Sequence, residues 1–239
     1  MDDSDPFAAP HRLPSPTRPL LGLTILVVED SRYACEALRL LCLRSGARIR
    51  RADCLKSARR HLQVYRPSVL IADLGLPDGS GADLIAELAG LTPRVPVILG
   101  LSGDDHAEAA ALAAGADGFL AKPITSLAVF QQAILSRLPE DRRPAQPRPV
   151  PDEEVVPDLI AYQDDMAHAA DVLTEGCEGK VLDYVAQFLG GVARSANDQV
   201  LAAAADSLAR ARADGRPSNS DTARIAGLVQ ERLQARKAI

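Results

Sequence analysis

The sequence predicts an α/β domain, a five-stranded parallel sheet doubly wound with helices on both faces, followed by a smaller all-α bundle. Three observations predict it. Short apolar runs alternate with amphipathic stretches from Leu23 onward, six prolines crowd residues 139–157, and the chain beyond them carries apolar residues at helical spacing. At 239 residues there is room for two domains of ordinary size, and 47% hydrophobic with 25% charged residues is enough to bury a core in each.

Taken in order, residues 1–20 are rich in Pro, Asp and Ser without an apolar period and read as a flexible leader. Strands are expected at 23–28, 48–51, 69–72, 97–101 and 118–121. Helices are expected between them at 32–44, 55–64, 82–89, 105–114 and 126–138, so the first domain spans 21–138. Right-handed crossovers distribute these helices over both faces of the sheet. The segment 139–157 cannot sustain a helix and is expected to be a semi-extended linker. Helical spacing returns at 158–174, 180–194, 197–213 and 221–237, which makes 158–239 an all-helical second domain.

A formal net charge of −5 and a pI near 5.4 give no electrostatic reason to approach a nucleic-acid backbone. No apolar run approaches the roughly 20 residues of a membrane span, and the acidic start MDDSDPF lacks the basic segment of a secretory signal. A cytoplasmic protein with neither nucleic-acid nor membrane partners is expected. Cys35, Cys42, Cys54 and Cys177 are scattered without metal-ligand spacing, so reduced thiols are expected.

The chemistry gathers in the first domain. Glu29 and Asp30 end the first strand and Asp73 the third, so a parallel sheet brings three carboxylates to the edge at which open α/β sheets bind ligands. Three close carboxylates repel one another unless a cation neutralises them, and an all-oxygen set suits Mg²⁺.

Four motifs, LVVED at 26–30, DLGLPDGSG at 73–81, LSG at 101–103 and FLAKP at 119–123, occur in this order at strand ends. Together they resemble the CheY-like receiver domain of two-component response regulators, a flavodoxin-like fold, over about 120 residues. The resemblance implies that Asp73 accepts a phosphoryl group. It further implies Mg²⁺ held by Asp30, by Glu29 through water, by Asp73 and by the main-chain carbonyl of Gly75. Lys122 would pair with the acceptor and then with the phosphoryl group, and Pro123 would follow a cis peptide. Ser102 would turn to a phosphoryl oxygen and vacate space for Phe119, forming the switch. Asp78 and Asp104 read as loop or helix-cap groups. Gly75, two residues after the acceptor, has no side chain to position a hydrolytic water, whereas Asp104 is acidic and could. A moderately long-lived acyl phosphate is therefore expected.

In the second domain, EGK at 178–180 lacks the glycine and hydroxyl of a phosphate-binding loop. Residues 152–239 hold 15 Asp and Glu against 9 Lys and Arg, which argues against a DNA-binding helix-turn-helix. The stretch QFLGGVARS at 187–195 resembles the motif of histidine phosphotransfer (Hpt) domains through Leu189, Gly191, Ala193 and Ser195. Gln187 stands where the phosphorylated His would be and Gly190 where the Lys would be. An amide is not a phosphoryl nucleophile, so this Hpt-like domain is expected to be silent as a carrier. The other reading is an unrelated helical or dimerisation bundle. His168, the only histidine of this half, is read as a structural or surface residue, with an acceptor role as the alternative. Asp164, Asp165 and Asp171 are read as a solvated face. The alanines 202–205 let helices approach closely, within the chain or in a homodimer.

The expectation is thus a phosphorelay signalling protein. Its donor would be a phosphohistidine on a sensor histidine kinase or a histidine phosphotransfer protein, and its output a non-DNA-binding helical domain. The alternatives are an active relay through His168, or a phosphate sink with a dimerisation module.

Overall fold

The computed structural model describes residues 14–104, 106–144, 152–174 and 179–235. Residues 1–13, Asp105, the linker prolines 147, 149 and 151, Cys177 and the end of the last expected helix, up to 237, lie outside the described residues.

The first half alternates strands and helices: β1 (Thr24–Val28), α1 (Arg32–Ser45), β2 (Arg48–Ala52), α2 (Leu55–Val64), β3 (Val69–Asp73), a short hairpin β4 (Gly75–Leu76) and β5 (Gly79–Ser80), α3 (Gly81–Ala89), β6 (Val97–Ser102), α4 (Ala107–Ala113), β7 (Gly118–Ala121) and α5 (Leu127–Leu135). The five long strands form one parallel sheet in the order β2-β1-β3-β6-β7. The expected doubly wound α/β fold is the one observed. The small β4–β5 hairpin was not expected: its two-residue strands are too short to give a period.

Residue alternation explains the two apolar layers. Ile25, Val27, Val69, Ile71, Val97 and Leu99 face one side of the sheet, where α1 and α5 cover them with Leu38, Leu41, Phe130 and Ile134. Leu26, Val28, Leu70, Ala72 and Ile98 face the other side, under Leu55 and Ala58 of α2 and Leu84 and Ile85 of α3. A parallel sheet buried on both faces needs such near-continuous apolar strands. Because all five strands run the same way, whatever follows β1, β3, β6 and β7 arrives at one edge.

Local signals end the helices as the sequence suggests. Ser31 caps α1, its hydroxyl accepting from the Ala34 amide, and Gly46 closes it in a left-handed conformation (φ 83°). Asp78, from the β4–β5 turn, accepts from the amides of Leu55 (2.8 Å) and Lys56 (2.9 Å) and so caps α2. Cys35 and Cys42 are buried free thiols, and burial pushes both up to about 12.

Beyond a 3-10 turn (Glu140–Arg142), the chain returns to the first half: Leu127 N donates to Glu153 O and Val155 N to Thr125 O, both at 2.9 Å, and Val155 is buried with α5. Among the described residues four helices follow, α6 (Leu159–Thr174), α7 (Lys180–Ser195), α8 (Gln199–Ala213) and α9 (Asn219–Ala235). They enclose a core of Met166, Val185, Leu189, Leu201, Leu208, Ile225 and Val229. Ala202, Ala204 and Ala205 are buried within this chain, Ala205 close beneath Gly190 of α7. Tyr33 of α1 also belongs to this core, its ring edge-on to Tyr162 at 5.9 Å. No helix among the described residues is long and apolar enough to cross a membrane.

Candidate functional site

The strand ends deliver Glu29 and Asp30 after β1, Asp73 at the end of β3, Ser102 at the end of β6 and Lys122 after β7. One ligand oxygen from each of Glu29, Asp30 and Asp73 lies within 4.8 Å of the others. The Lys122 ammonium, its side chain 5% exposed, sits 2.7 Å from Glu29 Oε2 and 3.4 Å from Asp73 Oδ2. The other Glu29 oxygen accepts from the Ser31 amide at 3.1 Å. Lys122 N donates to Ser102 O at 2.8 Å, fastening the end of β7 to that of β6, and the Lys122–Pro123 peptide is cis.

Three acids and one ammonium leave an excess of negative charge around largely buried side chains. Burial pushes the Asp73 carboxyl up to about 7, against the pull of Lys122 and with the repulsion of Glu29. Burial also raises Asp30, aided by Glu29 and Asp73 and opposed by a hydrogen bond from Tyr184. Burial opposes the Lys122 charge, yet Asp73 and Glu29 together hold its pKa above the usual lysine range. A cluster of hard oxygen donors with uncompensated charge fits a divalent cation.

Ser102 is 5% exposed and accepts from the Asp104 amide at 3.1 Å. Phe119 is half-buried on β7, its ring lying over Gly100. Gly75 opens β4, two residues beyond Asp73 and buried.

The helical half adds residues that the motifs do not contain. Asp165 of α6, 1% exposed, accepts from Ser31 Oγ (2.7 Å), Arg32 N (2.7 Å) and Tyr33 N (3.0 Å). It therefore caps the helix that begins at the site, which corrects the expectation of a solvated face. The signal was present: Asp165 lies three residues after Tyr162 and four before Ala169, inside the apolar stripe of α6. Asp164 does face outward and pairs with Arg32 at 2.7 Å.

Helix α7 lies across the mouth of the site. Its residues 184, 187, 191 and 194 recur at helical spacing on one face. The Tyr184 hydroxyl donates to Asp30 Oδ2 at 2.7 Å, and burial, reinforced by the Asp30 charge and this bond, raises the Tyr184 pKa. The Gln187 carboxamide sits against Gly75: a Cβ on Gly75 would come within 2.1 Å of Gln187 Nε2. Gly191 lies over Lys122, where an added Cβ would stand 3.6 Å from Nζ, and Arg194 reaches Gly103 while pairing with Asp206. His168 is not brought to Asp73. Its Nε2 is 3.3 Å from the Tyr184 hydroxyl, so Tyr184 stands between His168 and Asp30.

Residues 25–134 match the family described as the response regulator receiver domain. The KDP operon transcriptional regulatory protein KdpE of Escherichia coli (strain K12) is 33% identical over 99 residues, 41% of this chain and 44% of that protein. The probable transcriptional regulatory protein TcrX of Mycobacterium tuberculosis (strain ATCC 25618 / H37Rv) is 34% identical over 119 residues, 48% of this chain and 50% of its own. The chain thus spans about half the length of the curated relatives it matches. Among solved structures, a putative response regulator from Chloroflexus aurantiacus J-10-fl shows 32% identity and a TM-score of 0.45, covering 48% of this chain and 98% of that one. The sheet order and the acidic edge agree with this match, so residues 25–134 of this chain are similar to response regulator receiver domains in sequence and in fold.

Proposed function

We propose that this protein is a phosphorelay response regulator in which Asp73 accepts a phosphoryl group from a phosphohistidine donor, and that the helical half, docked over the acceptor, is the part whose contacts change. The observation that carries this reading is the Lys122 ammonium held between Glu29 and Asp73, beneath a helix bonded to Asp30.

In the transfer, an Asp73 carboxylate oxygen attacks phosphorus and the phosphorus–nitrogen bond of the donor breaks. The electron pair goes to the imidazole nitrogen, which then takes a proton from solvent. Lys122 already lies within reach of Asp73 and moves its charge onto a phosphoryl oxygen. The Ser102 hydroxyl offers a second donor, and its departure from the Asp104 amide gives Phe119 room to turn inward. Glu29, Asp30, Asp73 and the Gly75 carbonyl would hold Mg²⁺, which when bound neutralises charge on the transferring group.

The donor would be a sensor histidine kinase or a histidine phosphotransfer protein. Because α7 covers the mouth, a donor helix and α7 compete for one surface, so phosphorylation and docking are coupled. The helical half resembles an Hpt domain with Gln187 at the acceptor position. Its excess of acidic residues favours a protein surface over nucleic acid as its target. A second reading, a relay through His168, draws on the file of His168, Tyr184 and Asp30.

Radiolabelled acetyl phosphate with Mg²⁺ tests both readings. Label should enter the parent, be stripped by base as an acyl phosphate, and be absent from Asp73→Asn. Labelling of Asp73→Asn at the parent level would sink the first reading, and a base-stable label lost in His168→Ala would support the second.

A further inference from the structure

Gly75 lacks a side chain at the position from which a receiver would steer a hydrolytic water, and on sequence alone the acyl phosphate should last. That space is filled from another helix. The Gln187 carboxamide lies where a residue-75 side chain would project, an added Cβ there falling 2.1 Å from its nitrogen and 2.2 Å from its carbon. Gly75 is not among the glycines with positive φ, so space rather than backbone conformation keeps position 75 bare.

The carboxamide is also free to act. It makes no hydrogen bond to the described residues, and Gln187 is exposed within a cavity of about 820 Å³. Asp73, Ser102, Lys122, Gln187, Gly191 and Arg194 share the walls of that cavity, so water can stand between Gln187 and a phosphoryl group on Asp73. Tyr184, one turn earlier on α7, is bonded to Asp30 and fixes the register of the helix over the site.

We infer that Gln187 orients the water that hydrolyses phosphorylated Asp73, making the helical half an intramolecular phosphatase element. This rests on Asp73 being the phosphoryl acceptor. The amide oxygen accepts a hydrogen bond from the attacking water while the amide nitrogen donates to a phosphoryl oxygen. An amide is too weak a base to remove the proton, so its contribution is orientation, the role that glutamines play toward water in phosphoryl hydrolysis. The water oxygen bonds to phosphorus and the bond from phosphorus to the Asp73 oxygen breaks. Its electron pair restores the carboxylate, and the displaced water proton leaves on dihydrogen phosphate. The residue that disqualifies this helix as a phosphoryl carrier is thus the one that would discharge the receiver.

The test is the decay of label on Asp73 after the donor is removed, with hydrogen exchange of α7 followed in parallel. Gln187→Ala and the shape-preserving Gln187→Glu should each slow decay by roughly tenfold to a hundredfold, the effect of misplacing one reactant. Gly75→Asn in the Gln187→Ala background should restore most of the parent rate, because it returns a carboxamide to the vacated space from the receiver side. Decay at the parent rate in both single variants would overturn the inference. So would equally slow decay with and without Gly75→Asn, which would leave Gln187 only a role in holding α7. Failure of the parent to take up label at all would instead remove the acceptor reading beneath it.

Discussion

The two halves bury their cores by different means. In the receiver, apolar residues alternate across five parallel strands and fill both faces of the sheet, so the polar residues after each strand are forced to a common edge. In the helical half, α7 and α8 close on small alanines, and the core is completed by Tyr33 from the receiver's own α1. One half makes its site by topology alone. The other meets that site only by leaning on its neighbour, so its place over the site depends on contacts between the halves.

The contact with the largest expected effect is Asp165. Its carboxylate is almost fully buried, accepts three hydrogen bonds at the start of α1, and lies where a helix terminus favours negative charge. Replacement by Ala leaves the amides of Arg32 and Tyr33 without that partner at the seam between the halves. We expect Asp165→Ala to destabilise the docked arrangement by about 3 kcal/mol, several charge-assisted bonds lost without full additivity. In urea the helical half should then unfold ahead of the receiver. A single transition at the parent midpoint would show that the halves are held by their apolar seam alone.

Tyr184 sharpens the same contrast with a smaller effect. Its hydroxyl is one bond, made to an acid of the receiver site. Tyr184→Phe keeps the ring and its packing against Phe188 while losing a hydrogen bond to a carboxylate, worth about 1.5 kcal/mol. Amide exchange over α7 should accelerate about tenfold, the equivalent of that energy, with no change in the receiver strands. Faster exchange in β1 and β3 would mean that the bond supports the sheet edge rather than the docking.

The sequence made the receiver legible because its signals are local and repeated. Apolar runs named the strands, and four motifs at strand ends named Asp73, Asp30, Glu29, Ser102 and Lys122 before any geometry was known. The helical half offered periodicity sufficient for four helices, but its contribution to the site depends on which face of α7 meets the receiver. Nothing at Tyr184 distinguishes it from any other helical tyrosine until Asp30 stands opposite. Gln187 read as a missing histidine, because the sequence cannot show that Gly75, more than 100 residues earlier, leaves the space its amide fills. Asp165 could have been found from its place in the apolar stripe of α6. It was obscured by Asp164 beside it, which makes the pair resemble an ordinary charged surface.

The smallest expected effect lies within the helical half itself, at Asp198. This residue caps α8 by accepting from the Leu201 amide, takes a hydrogen bond from the Tyr162 hydroxyl at 2.8 Å, and is gripped by Arg232 through Nε at 2.9 Å. Burial pushes its carboxyl up, but Arg232, the Leu201 amide and Tyr162 outweigh it and hold the pKa below the usual carboxylate range. A depressed carboxylate stabilises the fold fully above its unfolded pKa, about 3.9, and loses that contribution as pH falls through the lower folded value. Asp198→Asn keeps an oxygen for the cap but removes the charge. Its deficit at pH 7 should therefore be under about 1 kcal/mol, because the pair is partly solvated. That deficit should shrink toward zero as both proteins are acidified below the folded pKa of Asp198. Urea midpoints of parent and variant at neutral and acid pH measure it. A gap that persists unchanged in acid would assign the loss to the altered cap, leaving the Arg232 pair without a part in holding α9 to α6 and α8.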